Sequence, residues 1–161
     1  MATTEVLAFD WGVSILGILD VNSNEYIPYH YGENMILGAK RITSSVGTIV
    51  SFNGNRCDLI EISRILGLSS VSEMHISGDH NDMREITSDI RWPPDPGTGS
   101  ILGPGLIETY RHYFGDVAVV PPSRLQCEYE GDQFEYVASN WCDCYMAGEL
   151  WKKWKRGDLR P

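Results

Sequence analysis

Nothing in the 161-residue chain approaches the ~20 consecutive apolar residues that a membrane helix requires. The N-terminal Met1-Ala2-Thr3-Thr4-Glu5 lacks the basic segment and apolar run of a signal or transit peptide, so the expected location is the cytoplasm. Positive charge is scarce: 13 Lys and Arg stand against 22 Asp and Glu, a formal net charge of -9. Lys and Arg contacts to phosphate supply most non-specific affinity for nucleic acid, so this balance counts against a broad nucleic-acid-binding surface. It does not exclude a metal-dependent nuclease, whose acids attract cations and whose basic residues can be confined to a small groove. Cysteine is also sparse. Cys57, Cys127, Cys142 and Cys144 follow no disulfide framework and read as reduced. Cys142-Asp143-Cys144 has no second pair to complete a zinc site, and the four histidines are scattered. Internal repeats are absent as well.

What the chain does contain is an alternation of strand-like and helix-like segments. Residues 5–10 read as a buried strand that ends on Asp10, and residues 14–21 and 25–31 read as a following hairpin turned by Asn22-Ser23-Asn24. Helical spacing covers residues 35–44, and Thr48-Ile49-Val50-Ser51-Phe52 is another strand that runs into Asn53-Gly54. Residues 58–66 are amphipathic, with Gly67 as the stop. Trp92-Pro93-Pro94-Asp95-Pro96-Gly97-Thr98-Gly99 suits neither helix nor central strand and reads as a mobile surface loop. Residues 106–114 read as a helix, Pro121-Pro122 breaks the chain again, and residues 134–154 form the longest helical candidate. The expectation is one α/β domain over residues 1–161, a three-strand meander joined by crossover strands in a mixed sheet flanked by helices.

Three segments carry chemistry. Val6-Leu7-Ala8-Phe9-Asp10 delivers a carboxylate at a strand end. Asn53-Gly54 followed by Asp58 places a second carboxylate at a helix start. Tyr136-Val137-Ala138-Ser139-Asn140 sets Tyr and Asn one helical turn apart. In this order and spacing the chain resembles the 3′-to-5′ exonucleases of the DEDD superfamily, members of the RNase H-like fold. The resemblance runs from Val6 to about Lys153, and His80-Asn81-Asp82-Met83 resembles a further segment of some bacterial members. It implies an RNase H-like sheet, Mg²⁺ or Mn²⁺ held by Asp10 and Asp58, and Tyr136 and Asn140 at the catalytic positions of the third motif. A single-stranded DNA or RNA 3′ end is the implied substrate.

Two departures from the family pattern weaken that implication. Active relatives read Asp-x-Glu where this chain reads Asp10-Trp11-Gly12, and they carry Asp where it has Asn140. An Asn offers a carbonyl oxygen without charge. Asp143, one turn further on, is the candidate for partial compensation as a metal ligand. The first motif also resembles the Asp-x-Gly strand of resolvase-like enzymes, which lack the Asn53-Gly54-to-Asp58 arrangement. The expected function is therefore a metal-dependent exonuclease-like activity with impaired catalysis. The alternative is an inactive module that binds nucleic acid or a protein partner. Nucleic-acid contacts are expected at Asn53 and at the basic, aromatic C-terminal cluster, through Trp151, Lys152 and Lys155. The competing reading of that cluster is the solvated end of a helix, where cations complement the dipole. A Trp11 side chain occupying the metal position would favour the inactive module.

Overall fold

The computed structural model describes residues 3–12, 14–91 and 105–160. Strands β1 (Val6–Trp11), β2 (Ile15–Asp20) and β3 (Tyr26–His30) form an antiparallel meander. Asn24, in the turn between β2 and β3, adopts a left-handed conformation (φ 60°) that Asn tolerates better than most residues. Helix α1 (Glu33–Ser44) then carries the chain to β4 (Thr48–Ser51), which pairs with β1 in parallel. Helix α2 (Asp58–Ile65) leads through a short 3-10 turn at Val71–Glu73 to β5 (Asp79–Asp82), parallel to β4. The sheet order is β3-β2-β1-β4-β5. Helices α3 (Met83–Arg91), α4 (Leu106–Phe114), α5 (Ser123–Glu128) and α6 (Gly131–Lys155) complete the described elements. The mixed sheet, its meander and its crossover strand are those expected. The loop expected at Trp92 to Gly99 lies outside the described residues.

Strand alternation sorts β1 between two cores. Leu7 and Phe9 join Leu16, Ile18, Ile49 and the apolar faces of α1 and α2. Val6 and Ala8 join Val50 and the apolar side of α6. Helix α6 packs across β2, β1 and β4. Its approach is close because Gly148 lies against Val21 and Ala8, where a Cβ would meet Val21 Cγ2 at 3.1 Å. The two-residue period places Asp10 on the α6 side of the sheet and Trp11 on the other, where Trp11 packs against the α1/α2 core.

Three elements were not read from the sequence. Strand β5 is Asp-His-Asn-Asp, with none of the branched or aromatic residues that mark strands, and it pairs along the edge of β4. Helix α3 follows it directly, with the Arg84 backbone N–H donating to Asp82 Oδ1 at 3.1 Å. Helix α5 is a six-residue helix entered from Pro122.

Candidate functional site

Because β1 and β4 run in parallel, the end of β1 and the loop after β4 open on the same edge of the sheet, the usual position for ligands in α/β folds. Asp10 lies at the end of β1 and Asp58 begins α2. Asp58 is the first residue of its helix, one position after the N-cap, Cys57. It is buried, 7% exposed, and the Trp11 backbone amide hydrogen-bonds its carboxylate. The loop that delivers it is tightly built. Asn53 takes a left-handed conformation (φ 69°), its side-chain amide donates to Cys57 Sγ at 3.1 Å, and Gly54 lies so close to Ser51 that a Cβ would meet Oγ at 2.2 Å. Asp82 secures the loop from β5: its carboxylate accepts the backbone N–H of Asn53 at 2.7 Å and of Asn55 at 3.0 Å. The His80-to-Met83 segment thus acts on the site through the loop, while the His80 ring bonds the buried Ser51 hydroxyl at 2.8 Å.

From above, α6 contributes Tyr136, Ser139, Asn140 and Asp143 to a cavity of about 210 Å³ that Asp10, Trp11, Gly12, Ser14 and Ile15 also line. Tyr136 is at its rim, 55% exposed. Asp143 lies seven residues after Tyr136, nearly in line with it on the helix surface. The carboxylates act on one another. Asp10 is pushed up to about 8, first by burial and then by the charges of Asp143 and Asp58. Asp58 rises to about 7 through burial, offset by the Trp11 amide and reinforced by Asp82 and Asp143. Burial lifts Asp143 to about 6. Asp143 is therefore the α6 residue that adds charge to this field, and Asn140 has another task.

Asn140 is 4% exposed, and its amide orientation is fixed by its neighbours. Its Nδ2 donates to the main-chain oxygen of Asp10 at 3.0 Å and to Asp10 Oδ2 at 3.0 Å. The main-chain oxygen can only accept, so Nδ2 must face Asp10 and Oδ1 must face away. Tyr26 Oη donates to that Oδ1 at 2.6 Å. The Asn140 carbonyl oxygen is thus engaged by Tyr26 and turned away from Asp10. Tyr26, Ser14 and Ser139 were not singled out from the sequence. Tyr26 lies 114 residues from its partner, beyond the reach of local pattern.

The C-terminal cluster is separate from the carboxylates. Trp151 is half-buried against the α6 core, its Nε1 donating to Asn81 Oδ1 at 3.0 Å. Lys152 pairs with Glu149 at 2.7 Å, and Lys155 lies over the Trp154 ring at 5.2 Å. Eight residues of helix, ~12 Å of rise, separate Trp151 from Asp143. Each of these side chains has a partner within the chain, an arrangement that suits the helix-end reading of the cluster. The four cysteines are free thiols. On a helix, positions 142 and 144 point to nearly opposite sides, so the C-x-C pair does not converge on one ion.

Hard oxygen donors of this kind suit Mg²⁺ or Mn²⁺ in chemistry. As a ready ligand set they are incomplete: among the described residues no three His, Cys, Asp or Glu side chains are already gathered closely enough to hold a metal ion. Gly12, on the Asp10 side of β1, leaves room. A Cβ there would meet Ile15 O at 3.4 Å and Asn140 Nδ2 at 3.5 Å, ordinary contact distances. The molecule is an α/β protein with a partly buried carboxylate cluster at the carboxyl ends of parallel strands. No helix among the described residues is long and apolar enough to cross a membrane. Comparison of the chain with protein-family models, with curated proteins and with solved structures finds no match.

Proposed function

We propose that the chain is an RNase H-like, DEDD-type domain that processes the 3′ ends of single-stranded nucleic acid with Mg²⁺ or Mn²⁺, its acidic site formed by Asp10, Asp58 and Asp143. The observation that carries this reading is the placing of Asp10 and Asp143 on one cavity, with Asp10 raised by the charges of both Asp143 and Asp58. The meander with parallel strands added beside β1 supports it. A bound dication would polarise a phosphodiester oxygen and make a water more acidic. The chain's own part is to hold three oxygen donors on rigid elements, with the Tyr136 hydroxyl at the rim where an incoming strand passes. Asp143 supplies from α6 the charge that Asn140 lacks, which lessens the impairment expected from the sequence alone. Gly12 still leaves the site one carboxylate short.

The second reading, a catalytically silent module that binds nucleic acid or a protein partner, is favoured by Gly12 and by the incomplete convergence of the ligands. Trp11 both packs against the α1/α2 core and lines the cavity beside Asp10. Degradation of a labelled single strand, as DNA and as RNA, with Mg²⁺ and with Mn²⁺ separates the two. The enzyme reading expects cutting from the 3′ end that Asp143→Ala abolishes and Gly12→Glu enhances. If neither the natural chain nor Gly12→Glu cuts, the enzyme reading fails; retained strand binding would then support the silent module.

A further inference from the structure

We propose that Asn140 is a positioning residue that clamps Asp10 in a single orientation, and that its neutrality is required for three carboxylates to share the site. In the proposed function its consequence is metal affinity, so that part rests on the reading of Asp10 as a ligand; the clamp itself does not.

The geometry is specific. Two donor contacts from one amide nitrogen bracket Asp10 at its main-chain oxygen and its Oδ2. Asp10 Oδ1 accepts no hydrogen bond among the described residues and is left for the cavity that the residue lines. Behind Asn140, the buried Tyr26 hydroxyl stays protonated, because burial raises its pKa, and it donates to the amide oxygen. Tyr26 is itself tied down, its main-chain oxygen accepting from Arg124 Nη2 of α5 at 3.0 Å. Space for the clamp comes from Gly17, the partner of Asp10 across β1 and β2: a Cβ there would fall 1.6 Å from Asn140 Oδ1 and 2.9 Å from Tyr26 Cε2. Cys144, one turn along α6, closes the floor with a fully buried thiol that donates to Gly17 O at 3.6 Å.

A carboxylate at position 140 would replace the donor beside Asp10 Oδ2 with a like charge at about hydrogen-bond distance, inside a field that already holds Asp58 and Asp143. Asn140 thus differs from a ligand lost by mutation, and the two views give opposite signs. If position 140 were a vacated ligand, Asn140→Asp would tighten metal binding. As a clamp, the same change loosens it.

The test measures Mn²⁺ binding to the full chain by the electron paramagnetic resonance signal of free Mn²⁺, for the natural protein, Asn140→Asp and Tyr26→Phe, with near-ultraviolet circular dichroism to check each fold. The expected result is a loss of affinity of about 10-fold or more for Asn140→Asp, in the range of changes to groups that orient metal ligands. Tyr26→Phe, which removes only the hydroxyl, keeps the fold and loses several-fold. Tighter binding by Asn140→Asp, or unchanged affinity in Tyr26→Phe, overturns the proposal. A metal-free measurement accompanies it: the Asn140 side-chain amide protons, followed by ¹⁵N NMR, are protected from exchange in the natural chain, and they shift and lose protection in Asp10→Ala and Tyr26→Phe. If the natural chain binds no Mn²⁺, the metal reading falls and the NMR result alone decides the clamp. Amide protons that exchange freely, or that ignore both substitutions, overturn it.

Discussion

The two faces of the sheet are built on different terms. Under α1 and α2 the interior is mainly apolar, with Leu7, Phe9, Leu16, Ile18, Met35, Ile42, Ile49, Leu59 and Ile62 in one cluster. Under α6 the same strands bury Val6, Ala8, Ile15 and Leu19 but also give up interior volume to Asp10, Tyr26, Asn140 and the Cys144 thiol. One face stabilises mainly by packing, because apolar burial needs no partner geometry. The other must satisfy each polar group individually, since a buried charge without compensation costs far more than a lost methyl group. Within a single strand the two regimes are one residue apart: Phe9 faces the first and Asp10 the second.

The comparison breaks most visibly at that pair. Phe9→Ala opens a cavity in the apolar face and is expected to cost about 3–5 kcal/mol, read from the shift of the urea midpoint. Asp10→Asn acts in the opposite direction. In the metal-free protein Asp10 titrates near 8 when folded, against 3.8 as its ordinary value, so between those limits the folded state binds more protons than the unfolded one. Stability is therefore fully present below about pH 4 as far as this group is concerned, and it is lost as pH rises through about 8. Asp10→Asn is expected to flatten this slope and to raise metal-free stability on the order of 2–3 kcal/mol at pH 8, with no gain at pH 4. Thermal melts at both pH values check it; an unchanged slope would mean that the two faces do not differ in this way. Further along α6, the polar character ends. Trp151→Phe removes the bond to Asn81 and is expected to cost about 1 kcal/mol while leaving single-strand binding unchanged, which a fluorescence-anisotropy titration reads. Smallest of all is Lys152→Ala, expected within about 0.5 kcal/mol because its ion pair with Glu149 remains partly in water.

The apolar face was the more legible in the sequence. Alternation in residues 5–10, the spacing of Leu59, Ile62, Ile65 and Leu66, and Gly67 as a left-handed stop (φ 76°) each report a packing constraint that acts within a few residues. Asp10 and Asp58 were legible because strand ends and helix starts are local features too. Asp143 was harder to place. Tyr136 sets a helical phase from which both Asn140 and Asp143 can be reached, and the choice between them depends on how α6 lies on the sheet. Gly148 against Ala8 and Val21 fixes that contact, which no local period encodes. Strand β5 was illegible for a related reason: its four polar residues are held by β4 and by the demands of the Asn53 loop on Asp82, both distant in sequence.

One feature of the α6 face has a consequence for inheritance. Gly17 and Asn140 occupy the same few cubic ångströms, so neither position can drift alone. Any side chain at 17 evicts the amide at 140 and presses on the Tyr26 ring as well, so a smaller residue at 140 alone does not release 17 from glycine. Two sites 123 positions apart are thus bound as a single hereditary unit, with the fate of Asp10 carried along by the pair.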